Sequence, residues 1–180
     1  MRQRFLPVFL VAALVGCSKS DSNPIVDFGE GEGITYRTAT NFPVGPRDLT
    51  DWTSDGEWNR CERALFADLG FDVNGPQPSP SPAYTTTYPN PSQGQATWHT
   101  ELQRTSSGAI VSKLQGVLVD RNYHVLKKIG PQELVFGFDT TLDYVALGLG
   151  TNELYRLYYV VYNANGIVIK GHGDVRYSPQ

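Results

Sequence analysis

The chain carries three histidines and two cysteines in 180 residues, and these are the side chains whose chemistry is easiest to see in a sequence. His99, His124 and His172 stand far apart, each on or near a stretch that reads as a strand. A metal site needs several ligands that converge. Only His172 and Asp174, in Gly171-His172-Gly173-Asp174, have i, i+2 spacing, and an exposed edge or loop is the simpler expectation for them. Asp139, Thr140 and Asp143 gather around a turn, where carboxylates cap backbone amides. Cys61 falls on an apolar helical face with no histidine near it in sequence, so it reads as a small buried hydrophobe and not a nucleophile. No G-x-S-x-G elbow, phosphate loop, H-E-x-x-H pair or EF-hand loop is present. Two carboxylates of the glycosidase kind can lie far apart in sequence, but nothing singles out a pair. The expectation is a protein that is not an enzyme and needs no metal or cofactor.

Cys17 has a clearer chemistry. Arg2 and Arg4 open the chain with positive charge, and an apolar run of roughly 11 residues follows, from Phe5 to Val15. That is too short to cross a bilayer and suits the core of an export signal. The run closes on Leu14-Val15-Gly16-Cys17, which resembles the lipobox of bacterial lipoproteins. The resemblance implies a signal peptide over residues 1–16, with small Gly16 admitting the peptidase. It also implies a diacylglyceryl group on the Cys17 thiol and an acylated amine. Two or more chains hold a protein on a membrane, whereas one does so marginally. Ser18, not Asp, follows the cysteine, which by the same analogy favours the outer membrane and leaves its face open. With Cys17 alkylated, no intrachain disulfide is expected to staple the fold.

The elements that would position any site can be read next. A formal charge of −3 and a pI near 5.6, with no basic stripe longer than Lys127-Lys128, exclude nucleic acid as a partner. Glycine and proline together suit short strands with many turns. Residues 17–33 are polar and read as a flexible tether. Residues 34–74 form a small helix-containing segment. Within it Trp58, Cys61, Leu65 and Leu69 recur at helical spacing, Glu57 suits the first turn, and Gly70 suits the stop. The pattern predicts a helix of about 12–14 residues, with Trp52 stapling its entry. Residues 75–83 are a proline-rich spacer. Over residues 84–180, alternation and turn signals predict about seven strands and an antiparallel β-sandwich. The expected strands include Leu114 to Val119, Tyr123 to Ile129, Glu133 to Phe138, Leu142 to Leu147, Tyr155 to Tyr162 and Ile167 to Ile169. Gly130-Pro131 is expected to break the chain, and Asn165-Gly166 to turn the last hairpin, which should lie centrally.

Tyr88-Pro89-Asn90-Pro91, with Ser92-Gln93-Gly94 and a strand beyond it, resembles the opening of type IX secretion C-terminal sorting domains. Asp120-Arg121-Asn122 and Asn163-Ala164-Asn165-Gly166, with the strands that follow each, resemble the middle and closing hairpins of those domains. The resemblance spans about residues 84–180 and implies a seven-stranded sandwich able to act as an export signal. It departs from the family at Asn152-Glu153-Leu154-Tyr155, where Gly-x-Tyr is usual, and at a C-terminus that is not basic. Parity places Tyr155 and Tyr159 on one strand face and Tyr158 and Tyr162 on the other. One pair should be core. Trp98, Tyr158 and Tyr162 are the candidates for stacking on a sugar, with cross-strand packing as the plainer alternative. Three functions follow: a membrane-anchored, non-catalytic envelope lipoprotein whose sandwich is an interaction or structural module; a type IX secretion cargo; or a surface carbohydrate-binding module. The expected partners are the membrane, through lipid on Cys17, and an envelope protein or polysaccharide.

Overall fold

The computed structural model describes residues 25–77, 83–102 and 111–179; Cys17, the export signal and most of the proline-rich spacer lie outside them. Eight strands and one short helix follow in the order β1 (Thr53–Ser54), α1 (Arg60–Ala64), β2 (Ala83–Tyr88), β3 (Gln95–Leu102), β4 (Ser112–Val119), β5 (Val125–Leu134), β6 (Gly137–Asp143), β7 (Leu154–Asn163) and β8 (Gly166–Arg176). They form two antiparallel sheets, β1-β8-β7-β4-β5 and β2-β3-β6. The fold is mainly β, a two-sheet sandwich as expected, with seven strands from residue 83 onward.

Alternation builds the inner core. Ala96, Trp98, Leu114, Leu118, Leu142, Leu157, Tyr159 and Val175 point between the sheets and are buried. The last hairpin is central, as predicted: β7 lies between β8 and β4. Its turn is Ala164-Asn165 with Gly166 at φ 116, beyond the reach of a residue with a Cβ.

A second core covers the other face of the five-stranded sheet, and the sequence did not signal it. Val117, Val119, Tyr158 and Val160 pack there against Val26, Phe28, Trp58, Leu65, Phe66 and Val73 of the N-terminal segment. The molecule is therefore three layers deep: N-terminal segment, five-stranded sheet, three-stranded sheet. Residues 25–33, read from polarity as tether, belong to the packed body, because Val26 and Phe28 are 1% and 4% exposed. Three apolar residues, Ile25, Val26 and Phe28, among polar ones gave no period to recognise.

The helix is shorter than predicted. Asn59 caps it, its side chain accepting from the backbone N–H groups of Cys61 and Glu62, while Glu62 accepts from the Asn59 amide in a capping box. The cap at Asn59 starts the helix two residues later than the Glu57 reading, and a 3-10 turn at Ala67–Leu69 carries the apolar stripe on to Gly70, left-handed at φ 75. Cys61 is buried on this face but is disulfide-bonded and not a free thiol, against the expectation of a chain without a disulfide. Trp52 does not staple the helix; it packs on Gly173 of β8, where a Cβ would collide with its ring.

Two strand boundaries also moved. β5 runs through Gly130-Pro131, joined by a cis peptide. Proline is tolerated because β5 is an edge strand. The expected strand at 133–138 is split between the end of β5 and the start of β6, and the expected strand at 142–147 is the end of β6 and a turn at 144–148.

Candidate functional site

On β8, Lys170, His172, Asp174 and Arg176 alternate with residues of the inner core. Their register partners on β7 are Val160, Tyr158, Arg156 and Leu154. Period-two alternation aims all four at the N-terminal segment, and each meets a residue of it or binds through a neighbour. Lys170 Nζ donates to Asn74 Oδ1 at 2.5 Å. His172 Nδ1 lies 2.8 Å from both oxygens of Asp55. Arg176 Nη1 donates to Glu32 Oε2 at 2.8 Å. Asp174 is fully buried and takes two bonds from Arg156, at 2.7 and 2.6 Å, while its backbone N–H donates to Asp51 Oδ1 at 2.8 Å. Asp51 Oδ2 accepts from the Thr35 amide.

This ladder contradicts the expectation of an exposed edge at His172 and Asp174. His172 is 13% exposed, and β1 covers the strand beside it: Trp52 N–H donates to His172 O and Asp55 N–H to Lys170 O. The two side chains share no ligand. Asp48, Asp51 and Asp174 do bring carboxylate oxygens within 4.8 Å of one another, but both Asp174 oxygens are held by Arg156 and both Asp51 oxygens by backbone amides. That donor set builds an interface.

The charges are unequal. Burial, then the charge of Asp174, pushes Asp51 up to about 7. Burial raises Asp174 too, against the pull of Arg156. Arg156 is raised, its burial outweighed by the paired carboxylate. Of the two buried acids, Asp174 is paired with Arg156 and Asp51 with backbone amides alone.

The other histidines lie elsewhere. His99 sits on the outer face of the three-stranded sheet with Nδ1 2.7 Å from Asp139. His124 bonds Asp120 within the β4–β5 turn. Each histidine is oriented by an aspartate, and the three do not converge.

Of the residues predicted to stack on a sugar, Trp98 and Tyr158 are not available for it. Trp98 and Tyr158 are fully buried. Trp98 lies between the sheets with its indole N–H on Thr85 Oγ1, and Tyr158 lies under Trp58 and donates to Glu62. Tyr162 is partly covered by Phe71, with ring centroids 5.3 Å apart. Both tyrosine faces of β7 are core, because the N-terminal segment covers the side that parity left open.

Tyr88-Pro89-Asn90-Pro91 is the β2–β3 connection, with cis bonds before both prolines. Asn90 is fully buried. Its Nδ2 donates to Thr35 O and Asp174 O, its Oδ1 accepts from Arg176 N–H, and its backbone exchanges bonds with Arg37. The motif thus ties three parts of the chain together at the end of the ladder. Two clefts flank it and the ladder: one of about 490 Å³ by Arg121, Glu153 and Arg176, the other of about 470 Å³ lined by Asp55, Glu57, Asn74, Gln77 and Lys170.

No family profile and no curated protein matches the chain. Among solved structures it is similar to a β-glucuronidase from glycoside hydrolase family 2, at 14% identity and TM-score 0.33 over 53% of this chain and 11% of that one. It is similar also to a candidate β-galactosidase from Bacteroides fragilis, at 13% identity and TM-score 0.33 over 54% and 16%. The chain spans under a fifth of either enzyme, and a likeness this slight carries no inference about activity.

Proposed function

We propose that the protein is a non-catalytic, lipid-anchored envelope lipoprotein of the outer membrane, whose β-sandwich is an interaction or structural module. The observation that carries this reading is the Leu14-Val15-Gly16-Cys17 sequence after a charged, apolar leader. The body that follows it is consistent with a structural or interaction role, because Lys170, His172 and Arg176 of β8 bond Asn74, Asp55 and Glu32 of the N-terminal segment. From Cys17 to Ile25 the backbone has eight steps, a reach of about 28 Å at most, so the membrane anchor and the body stay close.

The interlock also weighs against a detachable C-terminal signal. Removing the N-terminal segment would expose Tyr158, Val160, Val117 and Val119, all buried beneath it, and would strip Arg156 and Asp174 of their cover.

One sulfur cannot carry both a lipid thioether and a disulfide, which makes the state of Cys17 decisive. Cells fed labelled palmitate should yield labelled protein that partitions into detergent, and Cys17→Ala should abolish both. Unlabelled wild-type protein, or a Cys17–Cys61 bond in protein from the membrane fraction, would overturn the anchor.

A further inference from the structure

Lys170 is a buried amine with unusual company. The residue is 3% exposed, and its Nζ contacts are the Asn74 side-chain carbonyl at 2.5 Å and the face of Trp58, 5.1 Å from the ring centroid. Lysine is seldom buried without a carboxylate, and among the described residues no ion pair holds this one. Burial pulls it down from the usual lysine range, against the charges of Asp55, Asp72, Glu62 and Glu57, a shift in the direction of the nucleophilic amine.

Asn74 is equally fixed. Its Oδ1 accepts from the Trp58 backbone N–H at 2.9 Å, and its Nδ2 donates to Trp58 O at 2.8 Å. The carboxamide is therefore held between the backbone N–H and C=O of one residue, Trp58, its carbonyl polarised by an N–H placed where negative charge would develop. With Nζ 2.5 Å from Oδ1 and a C=O bond of about 1.2 Å, Cγ lies within about 3.7 Å of the amine. That is close to the separation of about 3–3.5 Å expected of a reacting pair.

We propose that Lys170 and Asn74 join in an intramolecular isopeptide bond that fixes the N-terminal segment to β8. The Nζ lone pair attacks Asn74 Cγ, and the carbonyl electron pair moves onto Oδ1, facing the Trp58 N–H. On collapse the Cγ–Nδ2 bond breaks. A proton passes from Nζ to Nδ2, and ammonia leaves; amine plus carboxamide gives secondary amide plus ammonia, with no oxidant and no cofactor. Asp55 and Glu57 line the same cleft. The two joined residues are 96 apart in sequence, so the bond closes the chain from α1's flank to the last strand.

The test is peptide mapping of the full chain after reduction, denaturation and trypsin. The expected product is one branched peptide containing Asn74 and Lys170, lighter than its two arms together by one ammonia, with no cleavage after Lys170. Lys170→Arg, which keeps the charge, should give only linear peptides, and so should Asn74→Ala. A nick in the 78–82 spacer should leave wild-type halves as one band on a reducing, denaturing gel and Lys170→Arg halves as two. Linear peptides from wild-type protein, cut after Lys170 and carrying Asn74 at full mass, would overturn the proposal whether or not the variants fold.

Discussion

Asp51 is the residue where burial and charge conflict most. It is 6% exposed, sits near Asp174 and Asp48, and is held near 7 where an ordinary aspartate has 3.8. The folded state thus binds this proton more tightly than the unfolded chain does. Its stabilising contribution is complete below the unfolded value and is lost as pH rises through about 7. At about 1.4 kcal/mol per unit the effect amounts to a few kcal/mol. Urea unfolding should show stability falling between about pH 4 and about pH 7. Asp51→Asn should remove that slope while lowering stability throughout, since a carboxamide places a donor against the Thr35 or Asp174 amide. An unchanged slope in the variant would refute the assignment.

Tyr144 shows the opposite case. It is fully buried, and its hydroxyl has no partner among the described residues. A buried hydroxyl that bonds nothing costs about 1–3 kcal/mol, so Tyr144→Phe should leave the thermal midpoint unchanged or raise it. A clear loss of stability would show that the hydroxyl has a partner.

Among the elements, the N-terminal segment decides whether the sandwich has one covered face or two. Trp58 is its anchor, 3% exposed, stacked on Phe66 and edge-on to Tyr158. Trp58→Ala should cost about 3–5 kcal/mol, and hydrogen exchange should rise first at residues 55–74, before the core of β4 and β7. Uniform exchange would mean that segment and sheet do not separate. Gly116 marks the inner core: a Cβ there would meet the Trp98 ring at 2.7 Å, so Gly116→Ala should destabilise by about 1–3 kcal/mol through overpacking.

The elements also show what the sequence could reveal. Alternation in Leu114 to Val119 and Tyr155 to Tyr162, with Asn165-Gly166 between strands, was enough for the sandwich, since period and turn chemistry act locally. The cover over Tyr158 was not legible. Val26, Phe28, Trp58 and Val73 reach it from a stretch with no period, and partners so far apart leave no mark in a window of ten residues. Gly171-His172-Gly173-Asp174 did carry a signal, misread as a loop: its glycines admit β1 and Trp52, and its polar residues are rungs to Asp55 and Asp51. Asn90 looked like part of an export motif, and its three side-chain bonds to Thr35, Asp174 and Arg176 depend wholly on tertiary contact.

The whole molecule is a sandwich strapped by its own N-terminal segment, close behind the cysteine proposed to carry lipid. The strap and the anchor together make one claim, that the chain works on the membrane as a single body. Mass spectrometry of both termini, on protein purified from its native membrane, tests this most directly. The expected result is an N-terminus at Cys17 bearing acyl chains and a C-terminus reaching Pro179-Gln180. An unmodified or disulfide-bonded Cys17, or a chain ending near residue 84, would contradict it.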